Sequence, residues 1–138
     1  MLLVVDANVV ISSLINKGTT FQVFKHNART KQCHFIAPAF LLSEVNMEKV
    51  IQLSNLSKQN IDTILSLITE QIQFISFSTF SKHFSQAMEI NFKDSAYLAL
   101  AMRYDCAIFS GDKGLKKQDI VTVYSPRELL DLLHMNKK

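Results

Sequence analysis

Four acidic residues stand where a chemical site can form. Asp6 ends an apolar run at 2–5, and Asp112 follows a second apolar run at 106–110. Asp94 precedes a helical stretch that is apolar nearly all round, and Glu44 lies within an apolar helical stripe. Carboxylate oxygens are the ligands that Mg²⁺ and Mn²⁺ prefer, usually together with water and substrate phosphate. These residue types therefore indicate a divalent-metal site that handles phosphate.

The elements that must position these acids are parallel strands. Short apolar runs predict five strands, at 2–5, 34–37, 73–77, 106–110 and 120–124. Helical patterns alternate with them, which predicts an α/β domain with a parallel sheet. The carboxyl ends of parallel strands meet at one edge, so we expect Asp6 and Asp112 to lie together there. Asp94 or Glu44 joins them if its helix docks across that edge.

Each acid also has a structural explanation. Asp6 and Asp94 suit the start of a helix, and Asp112 between two glycines suits a turn. Glu44 is the hardest to explain in this way, because the predicted helix around it is apolar on the same face. Four carboxylates at one edge would repel one another and raise the pKa of at least one. A bound cation would remove that conflict.

Capping residues mark the expected helix ends. Asn8 is expected to cap a first helix over 9–15. Ser125 and Glu128 form a capping box with proline at the first helical position, so they are expected to open the last helix. Residues 135–138 are expected to form a frayed tail.

Length and composition indicate a single globular domain over residues 1–138. The chain is 48% hydrophobic, with no apolar run long enough to span a bilayer. Asp6 interrupts the apolar start, so no signal peptide is expected. Cys33 and Cys106 form no recognisable pair, which favours a reducing cytoplasm. The net charge of +3 is compatible with a nucleic-acid partner.

Four short stretches resemble the PIN-domain ribonuclease family, including its VapC-like toxins. They are VVDAN at 4–8, LSEV at 42–45, KDSAYLALA at 93–101 and FSGDK at 109–113. They occur in order over almost the whole chain. The resemblance implies a three-layer α/β/α sandwich around a central, mostly parallel five-stranded sheet.

The resemblance also implies an activity: metal-dependent endoribonuclease cleavage of single-stranded RNA, often as the toxin of a toxin–antitoxin pair. It makes Mg²⁺ or Mn²⁺ the cofactor. The metal-site acids, which are also the catalytic residues, are then Asp6, Glu44, Asp94 and Asp112, with Asn8 and Ser110 as supporting polar positions.

The partners implied are RNA, a cognate antitoxin and, as a family expectation, a second copy of the chain. Lys93 and Lys113 each adjoin a site acid and are candidates to steer the RNA backbone. Arg103, Lys116 and Lys117 are further candidates, although a solvated surface position is the ordinary interpretation of any one of them.

The main alternative is a PIN-like fold that binds RNA or a protein without catalysis. Such a module would tolerate loss of the acids, and this chain keeps all four. Two other phosphate-handling enzymes fit less well. A phosphoaspartyl phosphatase would need Asp at the position of Asn8, and a receiver domain would need Asp where the third strand runs into Ser78 and Thr79.

Overall fold

Strand β1 lies at the centre of the sheet. The structure is a computed structural model that describes residues 1–135. Its strands are β1 (Leu2–Val5), β2 (His34–Pro38), β3 (Ile72–Ile75), β4 (Ala107–Phe109) and β5 (Val123–Tyr124). All neighbouring strands pair in parallel, in the order β3-β2-β1-β4-β5. Burial on both faces explains why β1 is apolar throughout rather than alternating.

Helices cover both faces of this sheet. The helices α1 (Ala7–Ile15), α2 (Thr19–Thr30), α3 (Met47–Ser54), α4 (Lys58–Thr69) and α8 (Pro126–Met135) form one connected layer. The helices α5 (Phe77–Phe80), α6 (Phe84–Ile90) and α7 (Ser95–Tyr104) form another, with α7 packed over β1, β2 and β4. Parallel crossovers are right-handed, so reversing the strand order moves the connecting helices to the other face. The predicted three-layer α/β/α fold is confirmed.

The strand order reverses between β1 and β4. The chain runs outward from β1 through β2 to β3, then returns across the sheet to place β4 on the other side of β1. In open α/β sheets, ligands bind outside the carboxyl ends of the strands at such a switch point. Val5 and Phe109 are paired residues at these two ends, so the residues after them share one crevice.

The predicted helix around Glu44 is wrong. A 3₁₀ turn, Leu41–Glu44, precedes a separate helix, α3. Asn46 begins α3 as its N-cap, its side chain accepting a hydrogen bond from the backbone N–H of Lys49 at 3.2 Å. Asparagine strongly favours this position, and its extended backbone cannot continue the preceding turn. The apolar periodicity across 40–51 therefore concealed a break.

Other element ends shift by a few residues. The third strand ends at Ile75 rather than 77, and the fifth is reduced to Val123–Tyr124. Ser125 and Glu128 do form the predicted capping box at the start of α8. Met135 ends α8, and the rest of the predicted tail, 136–138, lies outside the described residues. Within residues 1–135, no helix combines the length and apolarity that crossing a membrane requires.

Candidate functional site

Asp6 is buried at the junction of β1 and α1. It is the N-cap of α1, and its Oδ1 accepts a hydrogen bond from the Asn8 backbone N–H at 3.5 Å. Its Oδ2 accepts a 2.6 Å hydrogen bond from the Ser110 hydroxyl. Burial raises the pKa of Asp6, while the hydrogen bond from Ser110 opposes that rise. Asp6, and not Asn8 as predicted, caps the helix, so the capping role and the site position coincide.

Ser110 links Asp6 to Asp112. Ser110 is buried directly after β4, and its Oγ accepts a hydrogen bond from the Asp112 backbone N–H at 3.0 Å. Asp112 Oδ1 accepts from the Gly114 N–H at 2.8 Å, as expected of a turn residue. Its Oδ2 lies 3.8 Å from the Lys93 ammonium. Asp112 therefore stabilises a turn with one oxygen and holds the other near the Lys93 ammonium.

Asp94 is the acid whose burial is least offset by hydrogen bonds. It occupies the N-cap position of α7 and is 6% exposed. Its Oδ2 is buried and has no hydrogen-bond partner among the described residues. Burial, followed by the neighbouring carboxyl groups of Asp112 and Asp6, raises the pKa of Asp94 to about 7. The proximity of Asp94 lowers the pKa of Asp112. A buried polar atom without a partner is costly, so its presence here points to a functional role.

Glu44 reaches the cluster through a tyrosine. Glu44 is exposed on the 3₁₀ turn, and Phe40 at the start of that turn is 38% exposed, so Glu44 does not lie within a buried apolar face as predicted. The Tyr97 hydroxyl donates a 3.0 Å hydrogen bond to Glu44 Oε2. Reduced solvation raises the pKa of Glu44, Tyr97 opposes this, and the charge of Asp6 adds to the rise.

Tyr97 is a site residue that the sequence did not reveal as one. It lies three residues after Asp94 on α7, so both side chains face the same side of the helix. Its burial and the nearby acids raise the pKa of its hydroxyl group, which stays a hydrogen-bond donor. The sequence did contain a signal for Tyr97, because this residue lies three positions after a candidate acid. The apolar character of the helix made Tyr97 look like a core residue instead.

The predicted supporting residues separate into two kinds of position. Ser110 lies inside the cluster, whereas the Asn8 side chain is exposed and lines a cavity of about 260 Å³ that also borders Asp112. A larger cavity of about 460 Å³ lies beside the amino end of β2 and contains none of the four acids. The smaller cavity is the one next to the chemistry.

The candidate cationic residues are not equally placed. Lys93 lies at the cluster, and Lys113 and Lys117 are exposed near Asp112 in sequence. Lys116 pairs with Glu128 at the start of α8. Arg103 lies nine residues after Asp94 on α7, which is about 14 Å along the helix axis. The structure therefore places Arg103 at the opposite end of the helix from the acids.

The donor chemistry fits a hard divalent cation, but the site is not a closed cage. In the part of the chain described, no three carboxyl, imidazole or thiol groups are arranged to hold a metal ion together. Mg²⁺ commonly needs one or two carboxylates and keeps several waters. The unpartnered Asp94 oxygen beside Asp112 and Asp6 meets that smaller requirement.

Comparison with known proteins agrees with this fold. The family model described as PIN domain matches residues 4–131, a span that contains all four acids. Among solved structures, VapBC2 from Rickettsia felis bound to a DNA fragment from their promoter contains a similar chain, with 14% identity and a TM-score of 0.64. That match covers 91% of this chain and 98% of the other. No curated protein matches the sequence significantly. The chain belongs to the PIN-domain family, a family of nucleases.

Proposed function

We propose that this protein is a metal-dependent endoribonuclease that cleaves single-stranded RNA. The observation that carries the proposal is the buried, unpartnered Asp94 oxygen, held beside Asp112 and Asp6 at the switch point of the sheet. The free energy of folding alone would favour an uncharged residue at this position. A cation that binds the cluster supplies the missing partner.

Asp6, Asp94 and Asp112 are the residues that would hold Mg²⁺ or Mn²⁺, with Glu44 approaching from the 3₁₀ turn. The ion would supply a lowered pKa for a coordinated water and charge stabilisation for the phosphate. Burial, followed by the neighbouring carboxyl groups of Asp112 and Asp6, raises the pKa of Asp94 to about 7, so Asp94 keeps its proton below that pH in the metal-free protein. Binding a cation therefore requires Asp94 to lose this proton, and metal affinity should rise with pH.

The remaining residues of the site orient the acids. Ser110 fixes Asp6 through a 2.6 Å hydrogen bond, and Tyr97 fixes Glu44 at 3.0 Å. Lys93 is exposed, so it can contact a phosphate of the substrate while remaining near Asp112. Hydrogen bonds thus fix the positions of Asp6 and Glu44, while the Lys93 ammonium at the edge of the site can bind a phosphate of the substrate.

Single-stranded RNA suits this open site. Its backbone reaches a crevice at a sheet edge without a groove having to be opened, and its bases are available for stacking. The exposed lysines near Asp112 favour a polyanion. Similarity of fold to the VapBC2 chain supports a role as the toxin of a toxin–antitoxin pair, with a cognate antitoxin, a homodimeric state and a cytoplasmic setting as parts of the same proposal.

The second candidate is a PIN-fold module that binds RNA or protein without cutting. The observation that favours it is the lack of a three-group metal cage within residues 1–135. The two candidates differ in their response to metal, because only the nuclease needs a cation for its activity.

The test is cleavage of an unstructured RNA by purified protein, with Mn²⁺ or Mg²⁺ and with chelator. We expect cleavage with either metal, none in chelator, and none by Asp112→Asn. Asp62→Asn, an exposed acid on α4, is the matched control and should cleave normally. Equal cleavage by wild type and Asp112→Asn would refute the assignment. Absence of cleavage together with absence of Mn²⁺ binding in calorimetry would favour the non-catalytic module.

The toxin role needs a separate experiment. Induced expression of the wild type should arrest growth, and Asp112→Asn should not. Co-expression with the product of an adjacent gene should restore growth and yield a stable complex. Growth arrest by both proteins would show that toxicity does not depend on the proposed site.

A further inference from the structure

Phe92 is the most exposed phenylalanine of the chain and lies two residues before Asp94 of the acid cluster. Its exposed fraction is 75%, compared with 47% for Phe77 and 38% for Phe40. The rings of those two residues pack against other aromatic rings, whereas Phe92 has no ring partner among the described residues. Single exposed apolar residues are common, so the position of Phe92 must supply the argument.

The chain on both sides of Phe92 is fixed. The Asn91 backbone N–H donates to the Ala87 carbonyl at 2.9 Å, which ends α6. The Asn91 side-chain Oδ1 accepts from the Asp94 N–H at 3.0 Å, which ties the segment to the start of α7. The Cα atoms of Phe92 and Asp94 are two residues apart, at most about 7 Å. The backbone that carries the ring is therefore anchored next to Asp94.

The residues next to Phe92 are polar. Lys93 is exposed and its ammonium lies 3.8 Å from Asp112, and Asn91 and Asp94 carry the hydrogen bond just described. A protein-binding surface usually needs a contiguous apolar patch, and a lone ring between polar neighbours does not supply one. An aromatic ring next to a lysine instead matches the two parts of a nucleotide, because the ring can stack on the flat base and the lysine can bind the anionic phosphate.

We propose that Phe92 is a base-stacking residue, which receives the base of a nucleotide next to the one at the carboxylate cluster. The proposal rests on the proposed function, since it takes single-stranded RNA as the ligand. Aromatic rings stack on any base, so Phe92 contributes affinity and positions the strand without selecting its sequence. Lys93 would contact the adjoining phosphate.

The chain contains no tryptophan, so Phe92→Trp introduces a single fluorescent reporter at this position. The test is a titration with a short unstructured RNA in chelator, where no metal-dependent cleavage occurs. We expect the emission to be quenched on binding, and an RNA of equal length without bases to cause little quenching. Ile120→Trp is the matched control. Ile120 is 56% exposed and precedes β5 at the opposite edge of the sheet, so its emission should not change.

Affinity provides the second measurement. Phe92→Ala should bind the RNA at least about fivefold more weakly, the lower end of what stacking one base on a ring contributes. Phe92→Tyr should bind like wild type. All variants should bind the RNA without bases equally well. Because the residue is exposed, unchanged melting temperatures are expected.

Equal affinity of wild type and Phe92→Ala for the RNA with bases would overturn the proposal. An altered oligomeric state of Phe92→Ala with unchanged RNA affinity would also overturn it, and would assign the ring to a protein interface. Binding is measured without metal, so it is independent of cleavage. Phe92-dependent binding by a protein that never cuts RNA would support this inference while refuting the nuclease.

Discussion

Replacing Asp94 by asparagine measures the strain that the acid cluster places on the metal-free fold. Asparagine keeps the shape of aspartate and its preference for a helix N-cap, while removing one negative charge. Asp94 is buried, carries an oxygen without a partner in the described structure, and has a pKa raised to about 7. We therefore expect Asp94→Asn to be more stable than wild type when no metal is present.

The raised pKa of Asp94 determines how much stability the substitution adds and over which pH range. From 3.8 to about 7, folded protein keeps a proton that the unfolded chain has lost, so wild-type stability falls as pH rises through this interval. One pKa unit corresponds to about 1.4 kcal/mol, which gives a ceiling of about 4 kcal/mol above pH 7. The lowered pKa of Asp112 offsets part of this penalty. We expect a gain of about 1–2 kcal/mol at pH 8 and a smaller one at pH 5.

Urea denaturation in chelator at both pH values gives the required free energies of unfolding. Asp62→Asn, exposed on α4, is the control and should match wild type. Added Mn²⁺ should reverse the ranking, because a ligand stabilises most the native state that binds it best. A variant that is less stable than wild type in chelator at pH 8, with a gap unaffected by Mn²⁺, would show that Asp94 is a structural cap and refute the reasoning.

Three further substitutions test the contacts around the cluster. Ser110→Ala removes the hydroxyl that holds Asp6, so Mn²⁺ affinity measured by calorimetry should fall about 10–100-fold, and an unchanged affinity would exclude this orienting role. Tyr97→Phe removes the hydrogen bond to Glu44 and should lower the free energy of unfolding by about 0.5–1.5 kcal/mol. A normal cleavage rate of this variant would show that the activity does not need Glu44 in a fixed position. Ser125→Ala removes the cap of α8 and should destabilise the protein by about 1 kcal/mol in urea with cleavage unchanged, whereas a loss of cleavage would connect α8 to the site.

The strands were predictable because short apolar runs end at residues that stop them. Asp6 follows β1, and its position at the shared edge followed from parallel pairing alone. The apolar periodicity around Glu44 predicts one continuous helix, but Asn46 has a strong preference for the N-cap and begins a separate helix, α3. The start of α3 could therefore have been predicted from Asn46, whose side chain caps the helix.

The site was only partly predictable, for a different reason. Sequence order shows which acids come after strands, but it gives no distance between side chains on separate elements. The hydrogen bond of Tyr97 to Glu44 depends on how α7 docks against the 3₁₀ turn. Such relations arise from tertiary packing, which periodicity does not encode.

The hydrogen bond between Ser110 and Asp6 joins residues that are 104 positions apart in the chain. Synthesis on the ribosome begins at the amino end, so β1 is made long before β4 exists to pair with it. A nascent chain that stops before residue 107 has Asp6 but neither Ser110 nor Asp112. Any activity that needs both acids is absent until the chain has been synthesised beyond residue 112. For an enzyme proposed to cut RNA, this order of assembly keeps the site incomplete while the residues before β4 are being synthesised.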